Sequence, residues 1–282
     1  MATAFSVVTG NRDFRRLFAA ELVVFGADWF VMVPLLVLLP ELTGSGVWGG
    51  LVLAADTGIN ALLLPYTGTI ADRFDRRKIL IIANLAAFAA VLLLFTVRTA
   101  ETAPLALVAI GAVAVAKAFY SPAASAALPN VVDPPDLPAA NTISGSAWGT
   151  MTIVGASLGG VVGAVFGPYV CFGVTAALLL TGAALTATIR RPLQAVREPG
   201  AAPRTRHALV ESFRYLRENP RIRALVTVKM AAGLGNGVLT VFPLIAGLHG
   251  AGVLGAGLLF AVRGAGALAG PFVLGPVIRR RS

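Results

Sequence analysis

Long apolar runs separated by short polar stretches dominate the chain. Eight of them reach the roughly 20 residues that a helix needs to cross a bilayer. Runs this long and uniformly apolar predict helices rather than the alternating strands of a membrane barrel. The pattern therefore predicts an all-α membrane protein. Its eight spans would cover residues 17–40, 46–67, 79–98, 103–124, 141–165, 167–189, 223–248 and 252–277.

The composition supports a membrane protein and excludes several other classes. Hydrophobic residues make up 57% of the chain and charged residues 13%, against about 25% charged in a typical soluble domain. The first run is longer than a signal peptide core, so we expect it to remain as the first span. One cysteine and two histidines provide no cluster of metal ligands. None of the lysines belongs to a glycine-rich phosphate-binding loop. The sequence predicts no enzyme, no catalytic residue, no metal and no cofactor.

The positive charges are distributed unevenly between the loops. With the N-terminus inside, the inner segments hold 19 of the 23 Lys and Arg residues and the outer loops hold only Arg98. Cytoplasmic loops of membrane proteins carry such an excess. We therefore expect the N-terminus and residues 190–222 to be cytoplasmic. The net charge of +10 does not indicate nucleic-acid binding, because the cations do not gather on one soluble domain.

A dense cluster of charges follows the second run. It reads Gly68-Thr69-Ile70-Ala71-Asp72-Arg73-Phe74-Asp75-Arg76-Arg77-Lys78. This order resembles the loop signature of the major facilitator superfamily, between its second and third membrane helices. The resemblance implies a loop that helps to switch the transporter between inward-open and outward-open states. Its members here would be Gly68, Asp72, Arg73, Asp75, Arg76 and Arg77. The family usually has a second glycine where this chain has Asp75, which could pair with Arg76 or Arg77.

Further segments resemble the bacterial branch of macrolide-efflux-like and enterobactin-exporter-like proteins. They are residues 11–18, 25–30, 120–123, 127–132 and 136–141. The resemblance extends over essentially the whole chain. It implies a multi-pass transporter of the bacterial cell (inner) membrane, whose partners are a small-molecule substrate, the lipid bilayer and protons. It leaves the oligomeric state open.

The same resemblance predicts the domain organisation. Residues 1–189 would form the complete six-helix first half of a major facilitator fold. Residues 190–222 would be a cytoplasmic linker with an amphipathic helix over residues 207–219, and residues 223–282 would begin the second half with two helices. Because Gly275 to Arg281 resembles the start of a second charged turn, we expect a twelve-helix transporter truncated after its eighth helix. A natural eight-helix protein is the alternative.

Six ionisable residues fall inside the predicted spans, away from the span ends: Glu21, Asp28, Asp56, Lys117, Lys229 and Arg263. Each would cost about 2.5–3.5 kcal/mol or more at mid-membrane, so each is a candidate for proton coupling or for the substrate cavity. Asp28 is the first choice because it is a lone carboxylate at mid-span, and Asp56 is the second. Glu21 could instead reach the interface. A purely structural alternative is a buried pair such as Asp56–Lys117.

The fifth predicted span carries Gly155-Ala156-Ser157-Leu158-Gly159-Gly160. This run resembles the family's antiporter signature, with Ala156 in place of its proline. Small residues at this spacing allow close packing of helices, which is the expected role of Gly155, Gly159 and Gly160. A role in sealing the pore against leak is the alternative.

The sequence thus predicts a secondary active transporter that exports small amphipathic, drug-like or macrolide-like molecules in exchange for protons. Export of a siderophore or a lipid by the same fold is one alternative. A transport-inactive fragment is another, and on the truncation hypothesis the 282-residue chain would insert into the membrane without transporting.

Overall fold

The computed structural model describes residues 4–194, 214–235, 238–239 and 241–279. Within these ranges the chain is helical, without a β-strand. Short 3₁₀ turns cover Leu93–Thr96, Ala100–Thr102 and Pro134–Asp136. The main helices, in chain order, are α1 (Ala4–Gly10), α2 (Arg12–Thr43), α3 (Val47–Arg73), α4 (Arg76–Leu92), α5 (Ala103–Val131), α6 (Leu137–Phe166), α7 (Pro168–Ala187), α8 (Pro220–Gly235), α9 (Val241–Leu248) and α10 (Gly252–Arg279).

Six helices of the described residues, α2 to α7, contain segments long and apolar enough to cross a membrane. They correspond to the first six predicted spans, which confirms the all-α first half. The eighth predicted span lies within α10. The apolar part of α10 from Gly252 to Gly266 is shorter than the six membrane-length segments.

The described residues of the seventh predicted span, residues 223–248, belong mainly to two helices, α8 and the eight-residue α9. Residues 236, 237 and 240, between these helices, lie outside the described residues. Gly233 and Gly235 fall in the last three positions of α8, where each costs a helix about 1 kcal/mol relative to alanine. Of the predicted amphipathic helix, residues 214–218 are helical and residues 207–213 lie outside the described residues.

Local capping fixes where α2 begins and ends. The side chain of Asn11 accepts hydrogen bonds from the backbone N–H groups of Asp13 and Phe14, at 3.1 and 3.0 Å. Such a cap satisfies donors that have no partner within the helix. At the other end Gly44 adopts φ 68°, and its N–H donates to Pro40 O at 2.8 Å. The left-handed conformation favours glycine, so the turn into α3 follows from the sequence.

Helix α2 lies at the centre of the bundle. It packs mainly on α6 and α7 and also contacts α3, α5 and α10, while α10 packs mainly on α6. All residues from Trp29 to Leu39 are buried. Large apolar side chains such as Leu62, Val108 and Val165 are instead exposed on the outer surface of the bundle. Exposed apolar surface on this scale suits lipid better than water.

Candidate functional site

Three ionisable side chains from three helices meet inside the bundle. Lys117 of α5 donates hydrogen bonds to both carboxylate oxygens of Asp28 on α2, each at 2.8 Å. The same ammonium group donates to Asp56 of α3 at 3.1 Å. Asp28 is therefore not the lone carboxylate that the sequence predicted. We call Asp28, Asp56 and Lys117 the charge triad.

The geometry of the charge triad matches the chemistry of its members. An ammonium group has three N–H donors, and Lys117 directs its hydrogen bonds to three carboxylate oxygens. Each of the three side chains is only 18% exposed. Unpaired charges at such depth would be costly, and removing one partner would leave the others uncompensated. With all three groups ionised, the triad carries one net negative charge.

The charge triad forms part of the wall of a cavity of about 590 Å³. The cavity lies between helices of the first half and residues of the second half, including Leu239 and Arg263. Its surface combines apolar and aromatic side chains with a few charged and polar groups, as small-molecule sites generally do. The remaining lining residues are Phe25, Trp29, Met32, Gly50, Leu53, Ala54, Thr57, Asn60, Ala61, Ser121 and Trp148.

Arg263 of α10 brings a positive charge and two indole rings together at this cavity. Its guanidinium carbon lies 5.9 Å from the ring centroid of Trp29 and 5.5 Å from that of Trp148. Cation–π attraction acts over such distances. Trp29 and Trp148 also contact each other edge to face, with centroids 6.4 Å apart. The cavity therefore has a cationic aromatic region in addition to the acidic triad.

Glu21 lies two helical turns before Asp28 on α2 and is buried, with 6% of its surface exposed. One of its carboxylate oxygens has no hydrogen-bond partner among the described residues. Lys229 belongs to α8, and its side chain lies outside the described residues.

The charged turn between α3 and α4 is bound to the segment that follows α7. Arg76 donates to Ala126 O at 2.8 Å, to Leu193 O at 3.3 Å and to the Asp72 carboxylate at 3.3 Å. Arg77 donates to the carbonyl of Arg191 at 3.0 Å. One turn of chain thus joins α3, α4, α5 and the segment after α7.

Asp75, Arg73 and Gly68, the other members of the predicted loop, do not take part in these contacts to the segment after α7. The Asp75 carboxylate accepts a hydrogen bond from the backbone N–H of Arg77 at 2.9 Å, so it caps α4 rather than pairing with an arginine side chain. Arg73 is the last residue of α3. Gly68 lies within α3, and a Cβ atom built there would meet no atom within 4 Å among the described residues.

The glycines of α6 lie where neighbouring backbones approach closely. A Cβ atom at Gly155 would come within 2.6 Å of Gly26 O, and one at Gly159 within 2.7 Å of Phe30 O, both on α2. At Gly160 it would lie 3.0 Å from the Cα of Gly257 on α10. Only residues without a Cβ allow this approach, so α6 packs tightly between α2 and α10.

Comparison with known proteins assigns the chain to a family. A sequence model of the Major Facilitator Superfamily matches residues 17–282. The chain belongs to the major facilitator superfamily. Members of this superfamily are membrane transporters rather than enzymes. No curated protein matches the sequence.

The fold of this superfamily member resembles that of a solved bacterial transporter. That protein is a homologue of the human lysosomal transporter Spinster, determined in an inward-facing and unoccupied conformation. The two share 19% sequence identity and a TM-score of 0.73. The match covers 95% of this chain and 64% of the other, so the chain spans less than two thirds of its structural relative. At this identity the likeness concerns the fold alone.

In this superfamily member the structure brings four of the six predicted in-span charges to one cavity. Asp28, Asp56 and Lys117 are in direct contact, and Arg263 lies on the same cavity. No group of three His, Cys, Asp or Glu side chains that could hold a metal occurs in the described part of the chain.

Sequence reasoning missed two buried polar residues behind the charge triad, Asn84 and Tyr120. An asparagine within the apolar run of α4 was the available signal for the first. Tyr120 gave no separate signal, because one tyrosine in an apolar helix is usual.

Proposed function

We propose that the chain serves the export of small amphipathic, drug-like or macrolide-like molecules in exchange for protons across a bacterial cell membrane. The observation that carries this proposal is the position of the charge triad on the wall of the large cavity. The same wall holds aromatic and aliphatic side chains. A molecule bound there would meet apolar surface and ionisable carboxylates together.

Competition between a proton and a cationic substrate would supply the exchange. Protonation of Asp28 or Asp56 removes the net negative charge of the triad and frees one donor position of Lys117. A neutral triad attracts a cation less strongly than a charged one, and the difference is largest in a site shielded from water. Binding of the substrate and binding of the proton therefore exclude each other, which is what an antiporter requires.

The first prediction tests this coupling. The purified chain in liposomes with an imposed pH gradient should accumulate a cationic amphipathic dye. Asp28→Asn should abolish pH-driven accumulation, because the neutral amide cannot exchange a proton. It should leave membrane insertion intact. Asp136→Asn, at the 3₁₀ turn before α6, is the matched control and should transport like the unmodified chain.

Two outcomes would contradict the proposal. Equal accumulation by the Asp28→Asn and Asp136→Asn variants would show that Asp28 is structural. An absence of pH-driven accumulation by the unmodified chain would favour the transport-inactive alternative.

Arg263 favours a second candidate function, export of an anionic amphiphile such as a siderophore or a lipid. Its guanidinium group faces the rings of Trp29 and Trp148 on the same cavity. An anionic headgroup could bind the guanidinium group while its apolar part contacts the indoles. Arg263→Gln should then abolish transport of an anionic amphiphile and spare a cationic dye. If the protein instead exports cations in exchange for protons, Arg263→Gln should still transport the cationic dye. Neither the unmodified chain nor the variant should then carry an anion.

A further inference from the structure

The wall of the large cavity carries charges of both signs. Among the described residues, its ionisable lining groups are those of Asp28, Asp56, Lys117 and Arg263. The charge triad has one net negative charge and Arg263 has one positive charge. A ligand with a single charge would therefore be attracted by one of these regions and repelled by the other. Both effects are stronger in a cavity shielded from water than in bulk solvent.

Helix packing separates the two charged regions. The charge triad belongs to α2, α3 and α5, and α3 packs mainly on α5. Arg263 belongs to α10, which packs mainly on α6. Helix α2 contacts all four of these helices, so the triad lies on its α3–α5 side and Arg263 on its α6–α10 side. The cavity of about 590 Å³ touches both regions, and its volume is within the range of sites for drug-sized ligands.

The region around Asp56 offers acceptors to a cation. Both carboxylate oxygens of Asp28 accept hydrogen bonds from Lys117, but only one oxygen of Asp56 does. Asn60 lies one turn after Asp56 on α3, Ser121 lies one turn after Lys117 on α5, and both line the cavity. Amide and hydroxyl oxygens accept hydrogen bonds from an ammonium group, as carboxylates do. This region therefore has more acceptors than Lys117 uses.

The region around Arg263 offers donors to an anion. A guanidinium group can donate to both oxygens of a carboxylate. Trp29, whose ring lies beside this group, is 8% exposed, and its indole N–H has no hydrogen-bond partner among the described residues. A buried indole N–H usually has an acceptor. An acidic group of a ligand bound at Arg263 would supply one.

We propose that the cavity binds zwitterionic amphiphiles. The ammonium group of the ligand contacts Asp56 of the charge triad, and its acidic group contacts Arg263 and Trp29. A zwitterion is attracted by both regions, whereas a cation alone is repelled by Arg263 and an anion alone is repelled by the triad. The inference rests on the proposed exchange, because it assigns the substrate class of the same site. Protons would still compete with the ammonium group at the triad.

The test uses four ligands that share one skeleton and differ in charge. An arylpiperazine carboxylic acid is a zwitterion at neutral pH. Its methyl ester is a cation, its N-acetyl derivative is an anion, and the N-acetyl methyl ester is neutral. Calorimetric titration of the purified chain at pH 7 gives a dissociation constant for each ligand. We expect the zwitterion to bind at least about tenfold more tightly than either singly charged ligand, the usual effect of one charged hydrogen bond.

Two substitutions assign the ligand groups to the two regions. Arg263→Gln should weaken binding of the zwitterion by about tenfold and leave the affinity for the ester equal or higher. Asp56→Asn should also weaken binding of the zwitterion, but it should leave the affinity for the N-acetyl derivative equal or higher. Continued binding of the spared ligand shows that each variant is folded. Arg221→Gln, at an exposed position of α8, is the matched control and should bind all four ligands like the unmodified chain.

Three results would overturn the assignment. They are an ester or N-acetyl derivative that binds as tightly as the zwitterion, no measurable binding of the zwitterion, and equal weakening of all charged ligands by Arg263→Gln. Binding is measured without transport, so a chain that prefers the zwitterion but shows no pH-driven transport contradicts only the proposed exchange. A chain that transports the cationic dye in response to pH, but binds the ester and the zwitterion equally, contradicts only the zwitterion assignment.

Discussion

At the scale of single residues, Lys117 has the greatest influence on the site. Its ammonium group is the shared partner of Asp28 and Asp56, and both carboxylates lie at about the same depth. Without it, two negative charges would face each other across a poorly solvated space. Like charges in contact with no compensating cation destabilise a folded protein strongly.

The second prediction follows from this arrangement. Lys117→Met should lower the free energy of unfolding by about 3–5 kcal/mol, the usual cost of removing one partner from a buried ion pair. Adding Asp28→Asn and Asp56→Asn should recover most of the loss, since the uncompensated charges are gone. Thermal or denaturant unfolding in detergent measures both effects. Lys78→Met, at an exposed position in the first turn of α4, is the control, and a Lys117→Met variant as stable as that control would contradict the account.

Some features of the site could be identified from the sequence, and others could not. Charges in apolar runs are conspicuous, so Asp28, Asp56 and Lys117 could be found from the sequence. Their convergence could not be deduced, because it depends on the rotation of α2 against α3 and α5. The cavity on which they lie depends on gaps between side chains of several helices. Such gaps have no signature along the chain.

At the scale of secondary-structure elements, close contacts of α6 connect the two halves. One set of its glycines meets α2 of the first half, and Gly160 meets α10 of the second. Backbone contacts of this kind leave no room for adjustment by side-chain rotation. The relative position of α2, α6 and α10 is therefore set by residues that have no side chain.

The third prediction concerns this contact. Gly159→Ala should destabilise the fold, because the new Cβ atom would lie 2.7 Å from Phe30 O and 2.9 Å from Phe30 Cα. Gly145→Ala on the same helix is the control, since a Cβ atom there meets no atom within 4 Å. That change should leave stability equal or raise it slightly, by up to about 1 kcal/mol. Melting temperatures of the two variants compare them directly, and equal melting temperatures would show that α2 and α6 can separate at little cost.

The fourth prediction concerns the charged turn. Arg76→Ala should release the segment after α7, because Arg76 binds the carbonyls of Ala126 and Leu193. Limited proteolysis should then cut near residues 190–194 faster than in the unmodified chain. Arg76→Lys should restore only part of the protection, since an ammonium group lacks the forked geometry of guanidinium. Lys78→Ala is the control, and cleavage as fast as in Arg76→Ala would mean that general loss of charge is responsible.

At the scale of the whole molecule, the number and order of the membrane helices were easier to predict than the positions at which a helix ends within an apolar run. Six spans of the first half followed directly from the apolar runs. The division between α8 and α9 did not, because glycines occur inside many membrane helices without breaking them.

The fifth prediction concerns orientation. We propose that the N-terminus and residues 190–222 face the cytoplasm, because 19 of the 23 Lys and Arg residues would then lie inside. A cysteine introduced at Ser45 or Gly250 should react with an impermeant reagent in intact cells. One at Thr205 should react only after permeabilisation, and reaction in intact cells would invert the proposed topology. The native Cys171 is buried, so background labelling should be low.

The central position of α2 has a consequence for biosynthesis. This helix leaves the ribosome before its neighbours exist, so it first meets lipid on every side, although the residues from Trp29 to Leu39 are all enclosed by protein in the end. During that interval Asp28 lacks the ammonium group of Lys117, which is encoded 89 residues later. A charged carboxylate at a helix centre costs about 2.5–3.5 kcal/mol on insertion scales. The apolar residues around Asp28 must therefore hold the nascent helix in the bilayer until α5 arrives, before they serve as packing surface.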